Sequence, residues 1–170
     1  MCAAAAAARN GLKVALVNDR PVLGGNNSSE IRVHLGGYVE MEPYKGLGRM
    51  IREFGHTEKG NARPAESYQD WKKQEFIDAE ENIDLYAPYH VIAVDAKASE
   101  IESVTAVHIE TGEKVRLCGR LFADCTGDGT VGFLAGADWT MGRESRDEYG
   151  ERSAPVKADD MVMGASVQWY

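Results

Sequence analysis

Three side chains that could bind a substrate and move a proton follow one another at alternate positions. Glu30, Arg32 and His34 alternate with Ile31 and Val33. A period of two predicts a strand on which the three polar side chains share one face. An arginine beside an imidazole could bind an anionic or polyhydroxyl substrate, and the imidazole could relay a proton. A solvated strand face without any catalytic role is the alternative explanation of the same pattern.

A polar pair follows the first apolar segment of the chain. Residues Lys13–Val17 are almost wholly apolar, which predicts a buried parallel strand, and Asn18 and Asp19 come directly after it. In dinucleotide-binding folds, an acidic group at the end of the second strand accepts hydrogen bonds from ribose hydroxyls. The usual position of that acid falls on Asn18, with Asp19 next to it, so either residue could bind the ribose. A turn closed by Asp19 is the alternative.

Glycines mark two places where the backbone could approach a ligand closely. Gly24 and Gly25 form a turn in which positive φ angles are open to both residues. Gly127, Asp128 and Gly129 lie between an apolar segment and a run of small residues that predicts a helix. Backbone amides at the start of that helix would face an anion. Asp128 would repel a phosphate there unless it binds a hydroxyl group, and a plain strand-to-helix turn is the alternative.

Composition excludes several classes of protein. The 170 residues carry 19 Lys and Arg against 27 Asp and Glu, a net charge of −8, which argues against a nucleic-acid partner. An apolar fraction of 44% argues against disorder, and no apolar run reaches the roughly 18 residues of a membrane span. Three widely spaced cysteines predict neither a disulfide framework nor a metal site. We therefore expect a soluble, cytoplasmic protein; the sequence leaves its oligomeric state open.

The elements that must position these residues mix helices and strands. Arg9, Asn10 and Gly11 end an alanine-rich helix, and the strand that follows completes the second half of a βαβ unit. Short β-prone runs in the middle of the chain predict a meander with a hairpin turn at Gly112. The further predicted elements are helices at about 46–55, 65–81 and 130–137, strands at 83–87, 91–95, 104–110, 115–117 and 120–124, and a strand-like tail at 161–170.

The order of these motifs resembles a known family. Three segments follow one another in an order that resembles FAD-dependent oxidoreductases of the glutathione-reductase-like Rossmann superfamily. They are KVALV, GGNNSSEIRVHLGG and FADCTGDGTVGFLAGA. More narrowly, the chain resembles the bacterial FAD-dependent oxidoreductase family that shares the SSEIR, DCTGDG and MGRES elements. The resemblance runs from about residue 3 to residue 170, and it is most specific at 21–34 and 123–144.

The resemblance implies FAD as cofactor and assigns residues to it. Gly24 and Gly25 match the turn next to the adenosine diphosphate, and residues 26–29 match the stretch along the flavin. Asp128 would face the ribityl or diphosphate region. The complete set of expected cofactor-binding residues is Asn18, Asp19, Gly24, Gly25, Asn26, Ser28, Ser29, Val91 (by its backbone, to adenine), Thr126, Gly127, Asp128 and Gly129. The candidates for catalysis stay Glu30, Arg32 and His34.

The resemblance also predicts the architecture. We expect an α/β chain that forms part of an FAD/NAD(P)-binding Rossmann-like domain with an inserted β-hairpin or meander. The family's first strand and its G-x-G-x-x-G loop would precede residue 1, so residues 1–170 would be a partial domain, truncated at both ends, with a substrate domain starting after about residue 140. The implied reaction is hydride transfer between a small organic substrate and the flavin. An NAD(P)-dependent dehydrogenase and a non-catalytic fragment that binds no cofactor are the alternatives.

Overall fold

The computed structural model describes residues 1–36, 41–46, 48–55 and 60–165. The described residues belong to two compact units, one within Met1–Phe122 and the other within Ala123–Val167. Each unit is built from short elements, so loops and turns carry most of the residues that the sequence assigns to a site.

The first unit begins with helix α1 and a small parallel sheet. Helix α1 spans Cys2–Arg9. Asn10 is its C-cap residue, and the next residue, Gly11, adopts a φ of +85°. Strand β1, Val14–Val17, pairs in parallel with strand β2, Ile83–Tyr86. The predicted parallel strand is confirmed, but the prediction that it is buried is wrong. Among the described residues β1 has a neighbour on one side only, and none of its side chains is fully enclosed.

The helix predicted at 65–81 is broken in two. Residues Ala65–Tyr68 form a 3₁₀ turn, and helix α3 begins at Asp70 and ends at Asp78. The break falls at Gln69, whose φ of +48° is incompatible with a continuous right-handed helix. Helix α2, Arg49–Phe54, packs on α3 through two rings, Phe54 and Phe76, whose centroids are 4.8 Å apart. The buried core around them comprises Ala5, Leu23, Phe54, Phe76 and Ile77.

A three-stranded antiparallel meander completes the first unit. Strands β3 (Tyr89–Lys97), β4 (Glu100–His108) and β5 (Lys114–Cys118) pair in the order β3-β4-β5. The predicted hairpin between β4 and β5 is confirmed, and Gly112 adopts a φ of +76° in its turn. The turn between β3 and β4 places Ala98 and Ser99 at positive φ, as a type I′ turn requires, without the glycine that usually signals it.

The second unit holds two short helices. Helix α4 spans Thr130–Leu134 and helix α5 spans Arg146–Tyr149. The prediction of a helix to residue 137 is too long, because the chain turns at Gly136 with a φ of +77°. The strand predicted at 120–124 is wrong: no described strand pairs with it, and Leu121 is 84% exposed. Of the predicted tail strand, residues 161–165 form none and residues 166–170 lie outside the described part of the chain.

These observations give a chain of mixed helix and strand content with two small sheets, compatible with an α/β FAD-binding domain. Helices long and apolar enough to cross a membrane are absent from the described ranges. The same ranges contain no cluster of three or more His, Cys, Asp or Glu side chains that could hold a metal ion.

Candidate functional site

The two glycines of the turn after β1 differ in how closely other residues pack against them. A 3₁₀ turn spans Gly25–Asn27, and Gly24 precedes it with a φ of +116°. A Cβ atom on Gly24 would lie 2.6 Å from the Asn27 carbonyl oxygen and 2.7 Å from Cδ of Lys73. A Cβ atom on Gly25, whose φ is +57°, would meet nothing within 4 Å. Gly24 is therefore required by packing, whereas Gly25 leaves backbone open to a ligand.

Helix α3 holds the end of this turn through a buried ion pair. The Asp70 carboxylate accepts hydrogen bonds from the backbone N–H of Ser29 at 3.1 and 3.2 Å. The Lys73 side chain is fully buried; its Nζ donates to the Tyr68 carbonyl oxygen at 2.5 Å and lies 3.5 Å from Asp70 Oδ1. Burial lowers the pKa of Lys73, and the neighbouring Asp70 charge partly opposes that effect. Asp70 thus links α3 to the segment along the expected flavin site.

A second set of bonds fixes the chain around Arg32. The carbonyl oxygen of Arg32 accepts hydrogen bonds from the buried Tyr68 hydroxyl and, at 2.8 Å, from the backbone N–H of Ala62. The Tyr68 hydroxyl itself accepts from the backbone N–H of Arg63 at 3.3 Å. The loop at residues 60–64 is therefore bonded to Arg32 twice, directly through Ala62 and indirectly through the Tyr68 hydroxyl.

The segment that carries the predicted catalytic side chains is not a strand. Arg32 adopts a φ of +63°, and its backbone N–H donates to the Ser28 carbonyl oxygen at 2.8 Å, which closes a turn. Alternation of side chains holds only for extended backbone, so one left-handed residue ends it. The prediction that Glu30, Arg32 and His34 share one strand face is wrong.

Glu30 and Arg32 bind partners within the turn. The Glu30 carboxylate forms an ion pair with Arg20 at 3.2 Å, and both side chains are substantially exposed. Nε of Arg32 donates to the Ser29 carbonyl oxygen at 2.9 Å. These contacts tie the turn to itself and to the chain before it, which gives both residues a structural task.

His34 is held differently. Its half-buried imidazole has Nδ1 at 2.7 Å from Oδ1 of Asn61, and its backbone N–H donates to the same oxygen at 3.1 Å. The ring is thus fixed through Nδ1, and within the described part of the chain Nε2 makes no hydrogen bond.

The two polar residues after β1, Asn18 and Asp19, differ in their contacts and exposure. The Asn18 side-chain amide donates to the carbonyl oxygens of Arg20 at 2.6 Å and Val22 at 3.2 Å, so it closes the turn after β1. The Asp19 side chain is 59% exposed, and one carboxylate oxygen lies 3.9 Å from Nδ1 of His90. Of the two expected ribose ligands, Asp19 has the more exposed side chain.

Val91 lies at an irregularity of the meander. The Val91 side chain is buried, and its backbone pairs with Ala106 before the register between β3 and β4 shifts. Such bulges often occur beside functional sites, because they interrupt the regular hydrogen bonding of a strand. The position is consistent with the expected backbone contact to adenine.

In the second unit, Asp124 organises the glycine-rich turn. Its carboxylate accepts from the backbone N–H and the hydroxyl of Thr126 at 2.9 and 2.7 Å, and from the backbone N–H of Gly132 at 2.9 Å. The Thr126 hydroxyl oxygen in turn accepts from the backbone N–H of Thr130 at 2.9 Å. Burial alone would raise the pKa of Asp124, but the hydrogen bonds from Gly132 and Thr126 outweigh it and lower the pKa.

Two of the backbone amides at the start of α4 are therefore bonded within the chain. Its amides at Thr130 and Gly132 donate to the chain's own side chains, so they are not available to a phosphate. The turn instead offers Gly127 and Gly129, at φ of +86° and +67°, where a Cβ atom would meet nothing within 4 Å. Asp128 lies exposed between them.

Comparison with known proteins identifies the family. A family model described as "FAD dependent oxidoreductase" matches residues 1–169. The chain belongs to this family. FAD is its cofactor and oxidoreduction is its general activity. No curated protein matches the chain, and no solved structure does.

In the first unit of this FAD-dependent oxidoreductase, three of the expected cofactor-binding residues are exposed. Gly25 and Asn26 are exposed at the turn after β1, and Asp19 offers a carboxylate nearby in sequence. In the second unit, Gly127 and Gly129 expose backbone that a Cβ atom would cover. Ser28 does not fit a direct contact: it is fully buried, and its hydroxyl has no hydrogen-bond partner among the residues described.

Sequence reasoning missed the residues that support this site. In the first unit, Asp70 bonds Ser29 and the buried Lys73 lies beside Asp70 and bonds the Tyr68 carbonyl oxygen. The Tyr68 hydroxyl bonds Arg32, and Asn61 bonds His34. In the second unit, Asp124 bonds the glycine-rich turn. The i,i+3 spacing of Asp70 and Lys73 is a weak signal for an ion pair. Nothing local distinguishes a buried lysine from a solvated one, because burial depends on residues remote in sequence.

Proposed function

We propose that this FAD-dependent oxidoreductase transfers a hydride between a small organic substrate and the flavin, with His34 exchanging the accompanying proton. FAD supplies the hydride chemistry when bound. The observation that carries the role of the chain is the fixed imidazole of His34, whose Nδ1 lies 2.7 Å from Asn61 Oδ1. An imidazole is the side chain best suited to exchange protons near neutral pH.

The cofactor-binding residues follow from exposure and bonding. We assign Gly24 and Gly25 to the adenosine diphosphate, Asn26 and Ser29 to the stretch along the flavin, and Val91 to adenine. The support for Ser29 is that Asp70 holds its backbone N–H, which fixes the course of the chain there. In the second unit, we assign the ribityl or diphosphate region to Thr126, Gly127, Asp128 and Gly129.

The architecture that this proposal needs is a Rossmann-like FAD-binding domain. Helix α1 followed by β1, parallel to β2, supports it, and the β3–β5 meander is the predicted insertion. The extent of that domain within residues 1–170, and a substrate domain after about residue 140, stay predictions.

Replacing the exposed acid after β1 tests the assignment of the ribose. We expect Asp19→Ala to weaken FAD binding about tenfold, because a hydrogen bond from a hydroxyl to a carboxylate is lost. Asn18→Ala is the matched variant: it should lower thermal stability, because its amide closes a turn, and change FAD affinity less. Titration with flavin fluorescence and a thermal melt measure both. Equal FAD affinity for wild type and Asp19→Ala would contradict the assignment.

Anaerobic reduction of the bound flavin tests the reaction. Small alcohols, 2-hydroxy acids and amines are mixed with the FAD-loaded chain, and the loss of flavin absorbance is followed by stopped flow. We expect one class to reduce the flavin, with a deuterium isotope effect at the oxidised C–H bond. His34→Gln should slow that step by about 10²–10⁴. His108→Gln is the control, because the His108 ring caps a hairpin turn.

Three outcomes would contradict the proposal. Reduction of a nicotinamide without any change in the flavin would favour the NAD(P)-dependent dehydrogenase. Failure of the chain to take up FAD would favour the non-catalytic fragment that binds no cofactor. An unchanged rate in His34→Gln would remove His34 from the proton transfer.

A further inference from the structure

We infer that Asn61 is a positioning residue that holds the ring proton of His34 on Nδ1, so that Nε2 is the atom that exchanges a proton with the substrate. The inference deepens the proposed function and rests on it for the substrate proton. The tautomer itself is a property of the chain, which makes it testable without any turnover.

His34 contacts one atom of the Asn61 side chain twice. Oδ1 of Asn61 lies 3.1 Å from the backbone nitrogen of His34 and 2.7 Å from the ring Nδ1. A backbone N–H can only donate, so the Asn61 atom that faces it is the amide oxygen rather than the amide nitrogen. Because that oxygen can only accept, Nδ1 must carry a proton. In the neutral ring Nε2 then has the lone pair.

The loop that carries Asn61 is fixed independently of the ring. Next to Asn61, the backbone N–H of Ala62 donates to the Arg32 carbonyl oxygen at 2.8 Å. Both Arg32 and Ala62 adopt positive φ, at +63° and +55°, a conformation that is strained for a non-glycine residue. Strained residues on both sides of the contact are held by the surrounding bonds, so Asn61 stays in register with His34.

Gly36 lies beside Nε2 of His34. A Cβ atom on Gly36 would lie 3.5 Å from that nitrogen, in van der Waals contact. A side chain at this position would therefore lie against the nitrogen that Asn61 leaves unprotonated. Gly36→Ala would add a methyl group against Nε2 without altering the hydrogen bond at Nδ1.

The proposed proton transfer involves only the substrate and the His34 ring. A substrate O–H or N–H bond breaks, an N–H bond forms at Nε2, and the ring becomes an imidazolium. Nδ1–H continues to donate to the Asn61 oxygen, which stabilises the cation through a charge-assisted hydrogen bond. Asn61 itself neither gains nor loses a proton.

The direct test is the ring tautomer of His34 in the 170-residue chain. Two-bond ¹⁵N–¹H correlation spectra of ¹⁵N-histidine-labelled protein, at about pH 8 and above the usual titration range of histidine, report which nitrogen is protonated. We expect Nδ1–H for His34 in wild type and in Asn61→Asp, which keeps an acceptor oxygen. In Asn61→Leu we expect Nε2–H to appear.

His108 is an internal control with the opposite tautomer. Its Nδ1 accepts from the backbone N–H groups of Glu110 and Thr111 at 3.3 and 3.2 Å, so its proton should lie on Nε2 in every variant. A proton on Nε2 of His34 in wild type would overturn the inference, and so would an unchanged tautomer in Asn61→Leu.

Activity adds a second readout. We expect Asn61→Leu and Gly36→Ala to slow reduction of the bound flavin about tenfold or more, and Asn61→Asp to restore it. If the tautomer follows Asn61 but His34→Gln reduces the flavin at the wild-type rate, the assignment of Nε2 to the substrate is overturned while the tautomer assignment stands. That outcome separates a failure of the proposed function from a failure of the inference.

Discussion

Asp70→Ala will lower the free energy of unfolding by about 3–5 kcal/mol at neutral pH, because it leaves a buried ammonium without its counter-ion. Lys73 is fully buried, and Asp70 is the carboxylate beside it, with Oδ1 at 3.5 Å from Nζ. The same substitution removes the acceptor of the Ser29 backbone N–H. The turn from Gly24 to Ser29 therefore loses its anchor on α3 at the same time.

This defect will shrink as the pH rises. Burial lowers the pKa of Lys73 in the folded chain, while the unfolded chain titrates near the ordinary lysine value of about 10.4. Between the two pKa values the unfolded chain binds more protons, so stability rises with pH across that window. Without Asp70 the folded pKa falls further, because the charge that opposes burial is gone. The window widens, and alkaline pH recovers more stability in the variant than in wild type.

Urea denaturation at pH 7 and at alkaline pH measures this prediction. Asp78→Ala is the control on the same helix, because Asp78 is exposed and its carboxylate accepts a hydrogen bond from the Gln74 side-chain amide at 2.8 Å. We expect Asp78→Ala to change stability by less than about 0.5 kcal/mol. Asp70→Ala/Lys73→Met should recover part of the loss, since the buried charge is gone. A loss that is equal at both pH values would contradict the ion-pair account.

Gly24→Ala will destabilise the chain by about 2–5 kcal/mol and weaken FAD binding at least tenfold. A φ of +116° is strained for any residue with a Cβ atom, and that atom would lie 2.6 Å from the Asn27 carbonyl oxygen. The backbone has to shift to relieve this clash, because Lys73 blocks the other side with Cδ at 2.7 Å. The shift displaces the turn along which we place the cofactor.

Gly25→Ala is the matched variant that measures the cost of a left-handed backbone without the steric clash that a Cβ atom on Gly24 meets. Gly25 is also left-handed, with a φ of +57°, but a Cβ atom there meets open space. We expect a cost of about 1–2 kcal/mol for this variant, from the left-handed backbone alone. Thermal melts and FAD titrations of both variants measure the difference. If Gly24→Ala is no worse than Gly25→Ala in stability, the packing role of Gly24 against Lys73 is wrong.

Local signals predicted much of the fold. The stop after Arg9, the apolar run of β1 and the hairpin turn at Gly112 each depend on residues adjacent in sequence, and the structure has all three. The failures come from single backbone angles. Positive φ at Gln69 divides a helix whose apolar pattern is continuous, and positive φ at Arg32 turns an alternating segment into a turn. Neither residue type signals that conformation.

The site was predictable where glycine signals it and not where side chains support it. Gly24 and Gly25 do adopt the positive φ angles that the sequence predicts. The role of Asn18 in closing the turn after β1 needed the structure, because only there is its amide seen to donate to the Arg20 carbonyl oxygen. The contacts of Asp70 with Ser29 and of Asn61 with His34 join residues 41 and 27 positions apart, and no local pattern encodes such distances.

An FAD titration monitored by flavin absorbance and fluorescence tests most directly the proposal that Gly24, Gly25 and Asp19 of the first unit bind FAD. We predict saturation at one FAD per chain with a micromolar dissociation constant, about −8 kcal/mol, and weaker binding in Asp19→Ala and Gly24→Ala at unchanged stoichiometry. The absence of saturable binding up to about 1 mM FAD, or identical affinities for wild type and both variants, would contradict it.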